Sequence, residues 1–232
     1  MRYAIYYVPP RDTPLADFGA AILAYDVQSG SARERFVVPG IAESRLVSMT
    51  RRAARYGFHA TLKAPFRLPA GRSRIDVLKL AADTADRCYP VEISGLALAM
   101  LGNFAALRPQ QACPELDAIA ATFVRDLDPL RAVEARDEAR WPPGKLSARQ
   151  SELLEAWGYP YVFDQYRFHM TLTDALNAVE AVEISRALKL AATDVTSIPL
   201  TIDAVTVVEE INPTAPFRAI ARFRLRGLRS AH

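Results

Sequence analysis

The sequence predicts an α+β protein of two pseudo-symmetric lobes, each an antiparallel sheet with helices on its outer face, flanking a central cleft. Three observations carry this. First, the stretches Gly57-Phe58-His59-Ala60-Thr61-Leu62 and Arg167-Phe168-His169-Met170-Thr171-Leu172 match. Of the three histidines, two stand in this Phe-His-x-Thr-Leu frame and the third is the terminal His232. With residue usage of ~5–10%, a three-letter match around a given histidine is on the order of 10⁻⁴ by chance. Second, each motif is followed by the same order of elements: helix, strand, strand. Third, 232 residues, half of them hydrophobic, suffice for one large domain or two fused lobes and argue against disorder. The expectation is one bilobal domain over 1–232, with lobes at about 1–130 and 148–232 and a connector at 131–147.

Residues 2–8 read as a strand ended by Pro9-Pro10, and Thr13-Pro14 as an N-cap and first helical residue before the apolar stripe Leu15, Phe18, Ile22 and Leu23. Residues 29–40 are loop-like. A helix over 42–55 ends in Arg51, Arg52 and Arg55, and the first motif strand follows over about 56–63, closed by Pro65. Ser73 to Asp76 resembles a capping box opening a helix over 74–88 that buries Ile75, Leu78, Ala82 and Ala85. Strands over 91–100 and 103–108 flank Gly102-Asn103. Pro114 opens the clearest amphipathic helix, with Leu116, Ile119, Ala120, Phe123, Val124 and Leu127 at helical spacing. The charge run from Arg131 to Arg140 reads as a solvated face. Ser147 with Gln150 caps a short helix that Gly158 ends. The second motif strand spans about 165–173. Asn177 with Glu180 caps a helix to about 192, and strands over 198–210 and 216–226 are joined by Asn212-Pro213-Thr214.

Side chains alternate along a strand, so His59 shares a face with Thr61, and His169 with Thr171, over an apolar back. An imidazole titrates near neutral pH and can give or take a proton, and a threonine hydroxyl donates to an anionic oxygen. Two such strands facing one another offer a base, an acid and two donors to one phosphate. On regular strands Lys63 falls on the His59 face and Arg167 on the His169 face, where either adds positive charge. Tyr3, Tyr7 and Tyr56 are candidate substrate contacts, with packing as the plainer role. Arg218, Arg222 and Arg224 alternate as a solvated face does.

The net charge of +3 suits an anionic substrate and is too small to imply DNA. Cys88 and Cys113 form no C-x-x-C and are too few for a disulfide framework, so reduced cytoplasmic thiols are the expectation. No apolar run reaches the ~20 residues of a membrane span, and no secretory leader is evident. Two histidines far apart, with no His-x-x-x-His, are a poor start for a metal site, and there is no Gly-rich phosphate loop, so no metal and no cofactor are expected.

Paired His-x-Thr strands in two α+β lobes resemble the two-histidine (2H) phosphoesterase superfamily. The longer stretches from Tyr56 to Phe66 and from Tyr166 to Thr173, with the opening Arg2-Tyr3-Ala4-Ile5-Tyr6-Tyr7, resemble its bacterial branch associated with phosphonate metabolism. The resemblance implies metal-independent cleavage of a small, often cyclic, phosphodiester. His59 and His169 are then the catalytic pair, and Thr61 and Thr171 bind phosphate oxygens. Many relatives carry a basic residue shortly after the second motif, where this chain has Thr173-Asp174. The alternatives are an RNA-end 2′,3′-cyclic phosphodiesterase or ligase-like enzyme, and a phosphometabolite-binding protein without turnover.

Overall fold

The computed structural model describes residues 1–133, 140–142 and 144–228. The strands are β1 (Arg2–Tyr7), β2 (Tyr25–Asp26), β3 (Ser31–Ala32), β4 (Ala60–Phe66), β5 (Val91–Ile93), β6 (Leu96–Leu101), β7 (Phe104–Pro109), β8 (Met170–Thr171), β9 (Leu200–Ile202), β10 (Ala204–Glu210) and β11 (Arg218–Arg224). The helices are α1 (Pro14–Leu23), α2 (Glu43–Ala54), α3 (Arg74–Arg87), α4 (Pro114–Leu127), α5 (Ala148–Trp157), α6 (Ala178–Ala191) and α7 (Thr193–Thr196). The α+β class is as expected, and the predicted caps form. Thr13 accepts from Ala16, and Ser147 with Gln150 and Asn177 with Glu180 close capping boxes.

The main sheet has the order β11-β10-β1-β4-β8-β7-β6, and every pairing in it is antiparallel. The motif strands are neighbours at its centre. They meet where Ala60 pairs with Met170, residues that follow the two motif histidines directly. An antiparallel pair in which each strand offers the equivalent residue is what a two-fold axis through the sheet generates. The small β5·β9 sheet repeats this symmetry, with Glu92 opposite Thr201.

The axis relates β1-α1-α2-β4-α3-β5-β6 to β7-α4-α5-β8-α6-β9-β10, and β11 is an added edge. This repeat does not follow the division into lobes 1–130 and 148–232 that the sequence suggests. The repeat boundary is the β6–β7 hairpin at Gly102-Asn103, where Gly102 takes the positive φ that such a turn requires. Each repeat also hands its last strand to the other half of the sheet. β10 pairs with β1, and β6 with β7.

One sheet face carries the main core. Ile5, Tyr7, Ala60, Leu62, Leu107, Met170 and Val207 pack there with helix residues such as Ile22, Val77, Phe123 and Leu188. The other face is covered only in part, by a small cluster that includes Ala4, Tyr6, Val208 and Phe217. The cleft lies on this face.

Several boundaries move. β4 continues through Pro65 to Phe66, because Pro65 has no pairing partner on either side and its missing N–H costs nothing. The second motif strand shortens to Met170–Thr171, preceded by a 3-10 turn at Phe163–Gln165. In α3 the buried stripe is Val77, Ala81, Thr84 and Ala85, and Ile75 in the first turn is exposed. Most of the charge run between Arg131 and Arg140, and the terminal His232, lie outside the described residues.

Candidate active site

A cavity of about 380 Å³ opens over the seam between β4 and β8, and His59, Thr61, His169 and Thr171 all line it. With them stand Tyr6, Arg52, Tyr56, Phe104, Tyr159 and Asp174, among others. The four motif residues expected to converge do so.

Each imidazole is held by the same local bond. His59 Nδ1 lies 2.8 Å from the Gly57 carbonyl, and His169 Nδ1 lies 2.7 Å from the Arg167 carbonyl. A carbonyl only accepts, so in both rings Nδ1 carries the hydrogen and Nε2 is left to act. His59 Nε2 lies 3.0 Å from Thr61 Oγ1, which donates to it. Gly57 has φ +70, and a Cβ there would lie 2.5 Å from Val27 Cβ, so this anchor requires glycine. Phe58, between anchor and imidazole, packs its ring into the space left by the missing side chain of Gly19 on α1.

The two rings differ in what surrounds them. Tyr6 stacks on His59 with ring centroids 3.6 Å apart and planes 18° apart. The position equivalent to Tyr6 is Ala106, since Tyr6 pairs with Thr61 and Ala106 with Thr171. His169 has Phe104 at 5.7 Å, tilted by 50°. Burial pushes the His59 imidazole down to about 4, with His169 nearby lowering it further and the bond to Gly57 opposing. Burial also lowers His169, against its bond to Arg167. Burial raises Tyr6 well above the ordinary phenol value, so its hydroxyl stays neutral.

Lys63 is not in the cleft. The pairing of β1 with β4 skips a residue between Thr61 and Lys63, so Lys63 faces Ile5 while Thr61 faces Tyr6. This bulge at Leu62 breaks the alternation and turns Lys63 to the core side. There its ammonium donates to Val124 O at 3.0 Å and lies 3.5 Å from Asp128. Arg167 is also elsewhere. It precedes the short β8, and its guanidinium turns back onto the carbonyls of Asp164 and Tyr166. Its part in the site is its own carbonyl, which fixes His169.

The cleft cations are Arg52, at the end of α2, and Arg140, which stacks over Trp141 and Tyr159 at 5.0 and 5.9 Å. Sequence reading missed Tyr6, Arg52, Phe104, Tyr159 and Asp174. The arginine run ending α2 was the available signal for Arg52. Tyr3 and Tyr7 belong to the core, as the face assignment of β1 dictates, and Tyr56, in the turn after α2, lines the cleft.

Residues 61–218 match the family described as "Protein of unknown function (DUF1045)". The chain belongs to this family. Two curated relatives are named "Ribose 1,5-bisphosphate phosphokinase PhnN". That of Janthinobacterium sp. (strain Marseille) is 40% identical over 93% of this chain and 49% of the relative. That of Laribacter hongkongensis (strain HLHK9) is 38% identical over 78% of this chain and 42% of the relative. The chain thus spans about half the length of these relatives. Among solved structures it is similar to TT0787 of Thermus thermophilus, at 16% identity, TM-score 0.46, and coverage of 98% and 99% of the two chains. It is also similar to E. coli LigT complexed with 3′-AMP, at 13% identity, TM-score 0.42 and 97% coverage of each. Among the described residues no helix is long and apolar enough to cross a membrane.

Proposed function

We propose that the chain is a 2H-type phosphoesterase that hydrolyses a small, cyclic phosphodiester in phosphonate metabolism, within the cytoplasm. The observation that carries this is the convergence of two Nδ1-anchored imidazoles and their threonines on one cavity. A cavity of about 380 Å³ suits a small molecule. The PhnN names of the relatives support the phosphonate setting. The kinase activity in those names calls for a phosphate-cradling loop, and this sequence has no Gly-rich phosphate loop. We therefore assign this stretch the phosphoester chemistry.

His59, neutral at pH 7, is the base. Its Nε2 takes a proton from water as the water oxygen attacks phosphorus. His169 is the acid. A phosphate anion beside it raises its pKa, and its protonated Nε2 gives a proton to the leaving oxygen as the P–O bond breaks. The ring-opened product is a phosphomonoester, and solvent returns the two imidazoles to their starting protonation. With substrate bound the Thr61 hydroxyl turns away from His59 Nε2, leaving that nitrogen to the water, and Thr61 and Thr171 donate to the non-bridging oxygens. The test is a panel of cyclic phosphodiesters assayed in chelator. His59→Ala and His169→Ala are expected to lose about 10²–10⁴-fold in kcat. Full activity in either variant overturns the scheme.

A further inference from the structure

We propose that Arg52 is a cation that binds the phosphoryl oxygens in this cleft, and that Asp174 is the positioning residue that holds it there. This rests on the phosphoesterase reading above. Both sequence candidates for positive charge, Lys63 and Arg167, are committed elsewhere. Arg55 is also occupied, with its guanidinium on Glu210 and the Ala215 carbonyl. Arg52 lines the same cavity as both histidines, and among the described residues its guanidinium makes no hydrogen bond or ion pair. It is an unengaged cation beside two neutral imidazoles.

Asp174 also lines this cavity, where a free carboxylate would repel an anion. Its oxygens are already engaged. Oδ2 accepts from Arg52 N at 2.8 Å and Oδ1 from Ala53 N at 2.7 Å. In the reverse direction, Asp174 N donates to Met49 O at 2.6 Å. Met49 O is the carbonyl that a regular helix offers to Ala53, so Asp174 is inserted alongside the last turn of α2. Three bonds thus tie the chain just past the second motif strand to the last turn of α2, one of them to the backbone of the residue bearing the cation. The position equivalent to Asp174 in the first repeat is Ala64, which has no carboxylate to offer. The clamp exists on one side only, so the otherwise two-fold cleft has a polarity: the non-bridging oxygens face α2.

The test titrates inorganic phosphate by calorimetry and measures kcat/KM on the best cyclic phosphodiester. Arg52 is exposed, so Arg52→Gln leaves the fold intact. A charge-assisted hydrogen bond contributes about 10–100-fold, so Arg52→Gln is expected to weaken phosphate binding and lower kcat/KM by that much. Arg52→Lys retains part of both, and free guanidinium partly rescues Arg52→Ala. Asp174→Ala gives a similar loss, and the double variant with Arg52→Gln is no worse than either single one. Additive losses would instead make Asp174 merely structural and overturn its positioning role. If Arg52→Gln binds phosphate and turns over within twofold of the parent while His59→Ala is dead, the inference fails and the phosphoesterase reading stands. If His59→Ala is fully active while Arg52→Gln loses phosphate, the anion site stands and the chemistry fails.

Discussion

Tyr6 and Ala106 occupy the same position in the two repeats, each opposite the threonine of its motif strand, yet only Tyr6 puts a ring over a catalytic candidate. Two imidazoles anchored alike are thereby made unlike: one is sealed under an aromatic ring and the other is more open. Removing the seal hydrates His59 and moves its pKa back towards the ordinary value of about 6.5. Tyr6→Ala is expected to shift the acid limb of the kcat/KM–pH profile upward by about one unit. A corresponding shift in the His59 ring resonances, followed by NMR, identifies the group responsible.

The same burial links His59 to stability. Its pKa is about 4 in the folded chain and about 6.5 unfolded, so between these values the unfolded state binds more protons. Stability is therefore full above about pH 6.5 and falls as pH drops to 4, by up to about 3 kcal/mol. His59→Gln is expected to flatten this part of the curve in urea unfolding at a series of pH values. An unchanged slope would assign the acid sensitivity to other groups.

Lys63 is a core ammonium, lowered by burial to about 8 against the pull of Asp128. Lys63→Met is expected to leave kcat/KM within about twofold. Its stability change should be small or favourable, since an apolar side chain of similar volume replaces a buried ion and Asp128 keeps Arg131 at 2.8 Å. In the parent, the unfolded amine binds more protons between pH 8 and about 10.4, so stability rises across that window. Denaturant melts at pH 8 and 10 should show that rise in the parent and not in the variant.

Gly57 fixes His59 through its carbonyl and cannot carry a side chain. Gly57→Ala meets both a positive φ and Val27. It is expected to cost about 1–3 kcal/mol and to lower kcat more than KM, because the imidazole moves while the phosphate contacts remain. Thermal melts and steady-state kinetics check the two parts.

The sequence made the strongest features legible. The motif histidines, their threonines, the capped helices and the hairpin at Gly102-Asn103 all follow from local spacing. What it hid were non-local facts. The bulge at Leu62 reverses the face of Lys63 and depends on the register against β1, which no local pattern states. Tyr6 was passed over for Tyr3 and Tyr7 because alternation gives two faces without saying which is the cleft. Asp174 looked like a missing basic residue, and its role became visible only when α2 was seen beside it. The repeat boundary was hidden because the third strand of each half comes from the other repeat.

That exchange of strands has a consequence for biosynthesis. Arg2 must pair with Glu210, so β1 waits for a strand made 208 residues later. At ~5–20 residues per second the delay is roughly 10–40 s, during which the nascent chain displays an open, apolar β1 edge. A chain severed at Gly102-Asn103 would face the same need, and its fragments would gain order only by mutual complementation.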